Sequence, residues 1–239
     1  MKDKFGELEK KLGISFKNKE LLKEALTHRS YINENPDWPL SQNERLEYLG
    51  DAVLELVTSE FLYNKYPKYQ EGQLTSFRAA LVNYQMLAHV AKEISLEKYV
   101  LVSRGEAKDN GRGKEVILAN AVEAFFGAVY LDQGYEVVAK LIKKIVLKHL
   151  KKIIENKLYR DPKSLLQEII QEKFKITPTY KVLEEKGPDH QKEFLVGVLV
   201  GVKIMARGTG ASKQEAESRA AEAALEFLNK EIHPVRKSK

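Results

Sequence analysis

The residues whose types and spacing suggest chemistry are carboxylates. In Asn43-Glu-Arg-Leu-Glu-Tyr-Leu-Gly-Asp-Ala-Val-Leu-Glu, three acids (Glu44, Glu47 and Asp51) stand three and four residues apart. On a helix that spacing stacks them along one stripe, where like charges repel. Gly50 lies inside the same stretch, at a further cost of about 1 kcal/mol relative to Ala. A divalent cation would turn the repulsion into attraction, and a glycine would let another backbone or a ligand come close. Taken alone, the stripe reads first as a solvated acidic face paired with Arg45 or Arg78. A second segment weighs against that reading. Ile117 to Leu131 is almost wholly apolar, interrupted by Asn120 and Glu123, which are three apart and share a face. A carboxylate on such a helix needs a partner or a metal, because burying it alone is prohibitive. Packed together, Glu47, Asp51, Asn120 and Glu123 would form an oxygen-rich pocket suited to Mg²⁺ or Mn²⁺ rather than zinc.

These side chains need helices to position them, and the first two-thirds of the chain supplies the pattern. Apolar residues recur at three- and four-residue spacings over 5–12, 19–27, 44–66, 75–93, 117–132 and 136–157. The stretch 33–42, rich in Asn, Pro and Asp, reads as a loop, and the charged, Gly-containing stretch 105–114 as a mobile one. Lys140, Lys144, Lys148, Lys151 and Lys152 fall opposite an apolar face and read as a solvated surface.

Near Asp161 the pattern changes. Asp161-Pro162 is a helix start, with Asp as N-cap and Pro at the first position. After Pro178 the period becomes two, in Tyr180 and Val182, in Phe194 to Val200, and in 203–207. Gly208 and Gly210 close the strands. Ser212-Lys-Gln-Glu215 is a capping box opening a last helix, with Ala216, Ala220, Ala224 and Leu228 facing inward. The expected fold is a mainly α N-terminal domain followed by a small α+β domain of order α-β-β-β-α. The expected boundaries are 1–155, a linker at 156–160, 161–230, and a basic tail at 231–239.

Bulk properties narrow the function classes. With 239 residues and 43% hydrophobic content, the chain can build two domains, each with its own core. Cys is absent, which excludes disulfides, thiolate zinc sites and Cys nucleophiles. The net charge of +6 favours a polyanionic partner only weakly. No apolar run reaches membrane-span length and the opening MKDKFGELEKKLG lacks the stretch of a secretory signal, so a cytoplasmic protein is expected. The five His residues are scattered without obvious acid/base pairing, and His28 reads as a satisfied structural histidine.

The segment NERLEYLGDAVL (43–54) closely resembles the signature of the ribonuclease III family. LTHRSY (26–31), LTSFRAALVN (74–83) and the stretch 118–134 resemble further blocks of that family, in its order. The resemblance covers nearly the whole chain. It implies an all-helical, dimeric endonuclease domain. It further implies Mg²⁺-assisted hydrolysis of double-stranded RNA, leaving 5′-phosphate and 3′-hydroxyl ends with a short 3′ overhang, in the service of RNA processing. By motif, Glu47, Asp51 and Glu123 become metal ligands and catalytic carboxylates, joined by Asn120, where the family commonly has Asp. Glu44 belongs to the dimer side of the cleft and Glu71 to its lining. An amide oxygen still coordinates Mg²⁺, with one negative charge fewer.

The second domain resembles the double-stranded-RNA-binding domain. A-form RNA offers its 2′-hydroxyls in a shallow minor groove, so a binder spans two minor grooves and the phosphates between. The resemblance assigns Ser164, Gln167 and Glu168 to one minor groove and Gly187, Pro188, Asp189 and His190 to the next. Lys213, at a helix start, falls to the phosphates. Gln214 stands where many members have a second basic residue. Tyr180, Phe194 and the alanines of the last helix are expected in the core. Two other readings stay open. One is a double-stranded-RNA-binding regulator whose cleavage is reduced or lost through Asn120. The other, a helical hydrolase of small phosphate esters, leaves the second domain unexplained.

Overall fold

The structure, a computed structural model, describes residues 4–108, 111–188 and 192–232. It divides into two compact units, Met1–Tyr159 and Arg160–Lys239. Among the described residues, no helix is long and apolar enough to cross a membrane.

The first unit is helical: α1 (Lys4–Leu12), α2 (Lys19–Ala25), α3 (Arg29–Glu34), α4 (Glu44–Lys65), α5 (Glu71–Val82), α6 (Tyr84–Glu93), α7 (Arg104–Lys108), α8 (Arg112–Gln133), α9 (Tyr135–Ile145) and α10 (Leu150–Glu155). Short 3-10 turns lie at Leu96–Lys98 and Leu147–His149. The apolar stretch of α8 is the axis of the core: Leu118, Ala119, Ala121, Val122 and every residue from Ala124 to Val129 are buried. Against it packs the inner face of α4, with Leu46, Gly50, Val53, Leu54 and Val57. The buried Asn43 ties the start of α4 to the end of α2: its N–H donates to Thr27 O (2.9 Å) and its amide to Ala25 O (3.3 Å). Asp132 at the end of α8 accepts the Lys17 and Asn18 N–H groups at 2.9 and 2.8 Å, fixing the link into α2.

Several helices differ from the periodicity. The pattern over 75–93 divides into α5 and α6, because Asn83 leaves helical geometry and its side chain accepts the Met86 N–H at 2.9 Å as an N-cap. The stretch 105–114 is not one loop. It contributes α7 and the first turn of α8, with residues 109–110 outside the described part. Short α3, capped by His28, lies mostly before the expected loop and takes in only its first two residues, Asn33 and Glu34. The segment 136–157 is α9, a 3-10 turn and α10 rather than one helix. Glu9 is buried although no pattern around it marks a partner; it is held by Lys19 Nζ (2.5 and 2.6 Å) and by the Phe16 N–H (2.6 Å).

The second unit follows the expected order: α11 (Pro162–Phe174), β1 (Thr179–Lys186), β2 (Glu193–Val200), β3 (Lys203–Gly210) and α12 (Lys213–Ile232). The strands form an antiparallel sheet of order β1-β2-β3, with bulges near Val182/Glu184 and Val198/Leu199. Asp161 caps α11 through the Ser164 N–H at 2.9 Å. Leu166, Ile170, Val198, Ala220, Ala221, Ala224 and Leu228 form the core, and Phe194, Val196 and Ala216 extend it. Tyr180 is half-buried against both groups. Ser212 accepts the Glu215 N–H at 3.2 Å, while the Glu215 carboxylate reaches back to the Ala211 N–H at 3.0 Å, one residue beyond the usual box. Strand β3 runs past residue 207, with Gly208 inside it and Gly210 ending it. Helix α12 includes Glu231 and Ile232, the first residues of the expected tail; residues 233–239 lie outside the described part.

Candidate active site

The helices α4 and α8 cross on two glycines. A Cβ added to Gly50 would sit 1.7 Å from the Glu123 carbonyl oxygen and 2.9 Å from the Gly127 nitrogen. One added to Gly127 would sit 2.3 Å from the Leu46 carbonyl oxygen. Neither position tolerates a side chain without the helices separating. Gly50 therefore has the role its position suggested, close approach of another backbone, and that backbone is Glu123 itself. Gly127 is its counterpart. Sequence reasoning passed it over, although a glycine inside an apolar helix is itself a mark of close packing.

The crossing brings Glu123 beside the acidic stripe. Burial first, then the charges of Asp51 and Glu47, push the Glu123 carboxyl up to about 8. Glu47 is raised by burial and by Glu44 and Asp51, against a hydrogen bond from Asn120 that favours its ionised form. Asp51 is raised by burial and by Glu55. Glu44 is exposed, accepts from the Gln42 amide at 3.0 Å and lies 3.8 Å from an Arg29 guanidinium nitrogen. Arg78, one of the partners considered for the stripe, donates to Ser59 Oγ at 2.9 Å. Among the described residues, no three of these acids bring one oxygen each within 4.8 Å of one another. Three mutually repelling acids, one held above neutrality, form an oxygen-only set whose field a divalent cation would relieve.

A cavity of about 580 Å³ beside the stripe is lined by Glu44, Glu47 and Asn120, with His28, Arg29, Arg112 and Ile117 among the other walls. Arg112 is a wall that the sequence pattern assigns to a loop. His28 is satisfied: its Nδ1 faces Ser30 Oγ at 2.8 Å and caps α3, its N–H donates to Leu101 O at 2.9 Å, and burial lowers its pKa. Glu71 does not join this group. It opens α5, accepts from Thr75 Oγ1 at 2.9 Å, and lines another cavity of about 600 Å³ with Ser59, Tyr63 and Arg78.

In the second unit, Gln167 and Glu168 are exposed on α11, with Glu168 paired to Arg160. Ser164 Oγ donates to the Asp161 carboxylate at 3.0 Å, so it also serves the helix start. Gly187 has φ +89°, and Pro188 follows it; Asp189 and His190 lie outside the described residues. Lys213 starts α12 with its ammonium 5.6 Å from the centre of the Phe194 ring.

A family model described as Ribonuclease-III-like matches residues 18–150, and one described as Double-stranded RNA binding motif matches residues 162–228. The protein named Ribonuclease 3 from a Nitratiruptor species is 47% identical over 222 residues, covering 93% of this chain and 96% of that protein. The chain belongs to the ribonuclease III family. Ribonuclease 3 of Borreliella afzelii is 44% identical over 227 residues, covering 95% of this chain and 92% of that protein. The nuclease domain of ribonuclease III from Campylobacter jejuni, solved in a study of flexibility in its dimer-forming region, matches with a TM-score of 0.55 at 40% identity. That match covers 60% of this chain and 96% of the solved one. The chain is thus a ribonuclease, and its C-terminal unit is a double-stranded-RNA-binding domain.

Proposed function

We propose that the protein hydrolyses double-stranded RNA in RNA processing through a Mg²⁺ site on Glu47, Asp51, Asn120 and Glu123, with Mn²⁺ as a substitute. The observation that carries this reading is Glu123, a largely buried carboxyl pushed up to about 8 by burial and two neighbouring acids. When bound, the cation supplies positive charge for the phosphodiester and acidifies an attacking water. Glu123 and Asp51 bring their oxygens from two helices that the glycine crossing locks together. Burial and the neighbouring acids raise the Glu47 carboxyl, and the hydrogen bond from Asn120 opposes them by favouring its ionised, cation-binding form. Glu44 adds negative charge at the rim of the stripe, and Glu71, in its separate cavity, contributes only once RNA spans both. Cleavage leaves a 5′-phosphate and a 3′-hydroxyl, with a short 3′ overhang.

The RNA is held through Ser164, Gln167, Glu168, Gly187, Pro188, Asp189, His190 and Lys213, reading shape across two minor grooves. A twofold dimer suits two antiparallel strands by giving one acidic site to each. The outer face of α4 supports it: Tyr48, Leu56 and Tyr63 are 83%, 58% and 73% exposed, seven or eight residues apart on one side of the helix. A cytoplasmic location fits this work. The regulator reading depends on Asn120 alone.

The deciding test incubates long duplex RNA with the protein and Mg²⁺ beside Glu123→Gln. Short products that require Mg²⁺ and vanish in the variant are expected. Stable duplex binding without products in the unaltered protein would leave the regulator.

A further inference from the structure

Away from the acidic stripe, one cluster of metal-ligating side chains has no part in RNA cleavage. His89 and Glu93 stand one turn apart on α6, and His149 ends the 3-10 turn between α9 and α10. Among the described residues, these three make the one group of His, Asp and Glu that brings a ligand atom from each within 4.8 Å of the others. The Nε2 atoms of both rings face the same carboxylate: His89 Nε2 lies 3.6 Å from Glu93 Oε1 and His149 Nε2 3.1 Å from Glu93 Oε2. The rings meet edge to face, with centres 5.3 Å apart. Two ligands about 2.0–2.1 Å from a tetrahedral ion stand roughly 3.3 Å from each other, a separation these distances bracket.

The scaffold beneath is firm. Leu87, Val90, Ala91 and Ile94 on one side and Val146, Leu147 and Leu150 on the other are buried in the core. Lys11 Nζ donates to Glu93 O at 3.3 Å and to Ser95 Oγ at 2.9 Å, anchoring the end of α6. The competing occupant is Lys148, whose ammonium lies 2.7 Å from Glu93 Oε2 on a half-exposed stem. An ion pair alone would account for Lys148, but it needs neither imidazole. His89 lies on the surface, and Glu93 is its ion-pair partner among the described residues. Two imidazoles and one carboxylate favour a borderline transition ion over Mg²⁺ and leave room for a water.

We propose that His89, Glu93 and His149 form a second cation site of the zinc class, clamping the 3-10 turn onto the C-terminal end of α6. It shares no residue with the stripe of α4 and α8. Binding displaces Lys148 from Glu93, so removing that ammonium tightens the site.

The test uses the full chain, stripped with chelator and returned to excess Mg²⁺ so that oxygen-only sites are filled. Co²⁺ is titrated while visible absorption is followed, because a four-coordinate nitrogen-containing site absorbs far more strongly than an octahedral oxygen one. The expected result is a saturable band, displaced by Zn²⁺ and kept in Glu123→Gln. It should be lost in the surface variant His89→Gln and in Glu93→Gln, and reached at several-fold lower Co²⁺ in Lys148→Met. Zn²⁺ should also raise the melting temperature of the unaltered protein but not of His89→Gln. The proposal is overturned by the absence of a band, by a band unchanged in His89→Gln and Glu93→Gln, or by one that disappears in Glu123→Gln.

Discussion

Both units of this protein are closed by glycines, yet the two seams carry opposite loads. In the first, Gly50 and Gly127 let α4 and α8 touch backbone to backbone. In the second, a Cβ on Gly208 would lie 2.2 Å from the Ala220 nitrogen, and one on Gly210 2.6 Å from the Ala216 nitrogen, so β3 lies directly on α12. Alanines fill the second seam: Ala216, Ala220 and Ala224 are wholly buried. Carboxylates edge the first, and Glu123 is held far above its ordinary range there. The same packing device thus serves two ends. One seam maximises close contact, so that α12 lies directly on the sheet of the RNA-binding unit. The other uses close contact to force like charges together, an arrangement that costs stability and that the proposed cation would relieve.

The largest break in that comparison is Glu123→Gln. Cleavage should fall by about 1000-fold or more, since the variant removes a proposed ligand, and metal assistance contributes several kcal/mol. Duplex binding, measured without Mg²⁺ by gel shift, should stay within a few-fold because it belongs to the other unit.

Next come the glycines themselves. Gly50→Ala and Gly208→Ala should each destabilise their own unit by about 3 kcal/mol, as overpacking against backbone allows little relief. Calorimetry should show the helical unit melting earlier in the first and the small unit in the second. The first should lose cleavage while still binding RNA; the second should lose binding. A Gly50→Ala protein with normal melting would mean that the helices are not held at this distance.

A smaller effect is expected in the pH dependence. The Glu123 carboxyl is raised, so the folded state holds its proton more tightly than the unfolded chain, and stability falls as pH rises towards the folded value of about 8. Between pH 7 and 9 the metal-free helical unit should lose about 1 kcal/mol, a loss absent in Glu123→Gln and suppressed by saturating Mg²⁺. In the C-terminal unit Glu222 is also raised, by burial first, with Arg219 opposing and Glu226 adding, so its contribution to stability likewise falls as pH rises. Denaturant midpoints at several pH values check both.

The smallest is Asn120→Asp. Restoring a charge should lower the Mg²⁺ concentration needed for half-maximal cleavage, on the order of fivefold, because ligand charge tunes cation affinity. It should also destabilise the metal-free protein above neutral pH. An unchanged Mg²⁺ midpoint would place residue 120 outside the metal's reach.

Much of this was legible in the chain because the signals are local. The stripe Glu44, Glu47 and Asp51 follows from helical spacing, Asp161-Pro162 from capping chemistry, and β1 to β3 from a period of two. The breaks that periodicity missed also have local causes, but weak ones. Asn83 ends one helix and caps the next within an unbroken apolar pattern, and Val146 begins a 3-10 turn between α9 and α10 without a glycine or proline to mark it.

What the sequence by itself determined is that carboxylates lie on two helices and that an RNA-binding domain follows them. It could not say which backbone Gly50 was clearing space for, that Glu71 would face a different cavity, or that His89, Glu93 and His149 would meet. Those are contacts between residues far apart in the chain, and only the packing of helices against one core sets them. The pressure on Glu123 is of the same kind. Its apolar surroundings are written in α8, but the acids that push its proton affinity upward arrive from α4, through a crossing that two glycines permit.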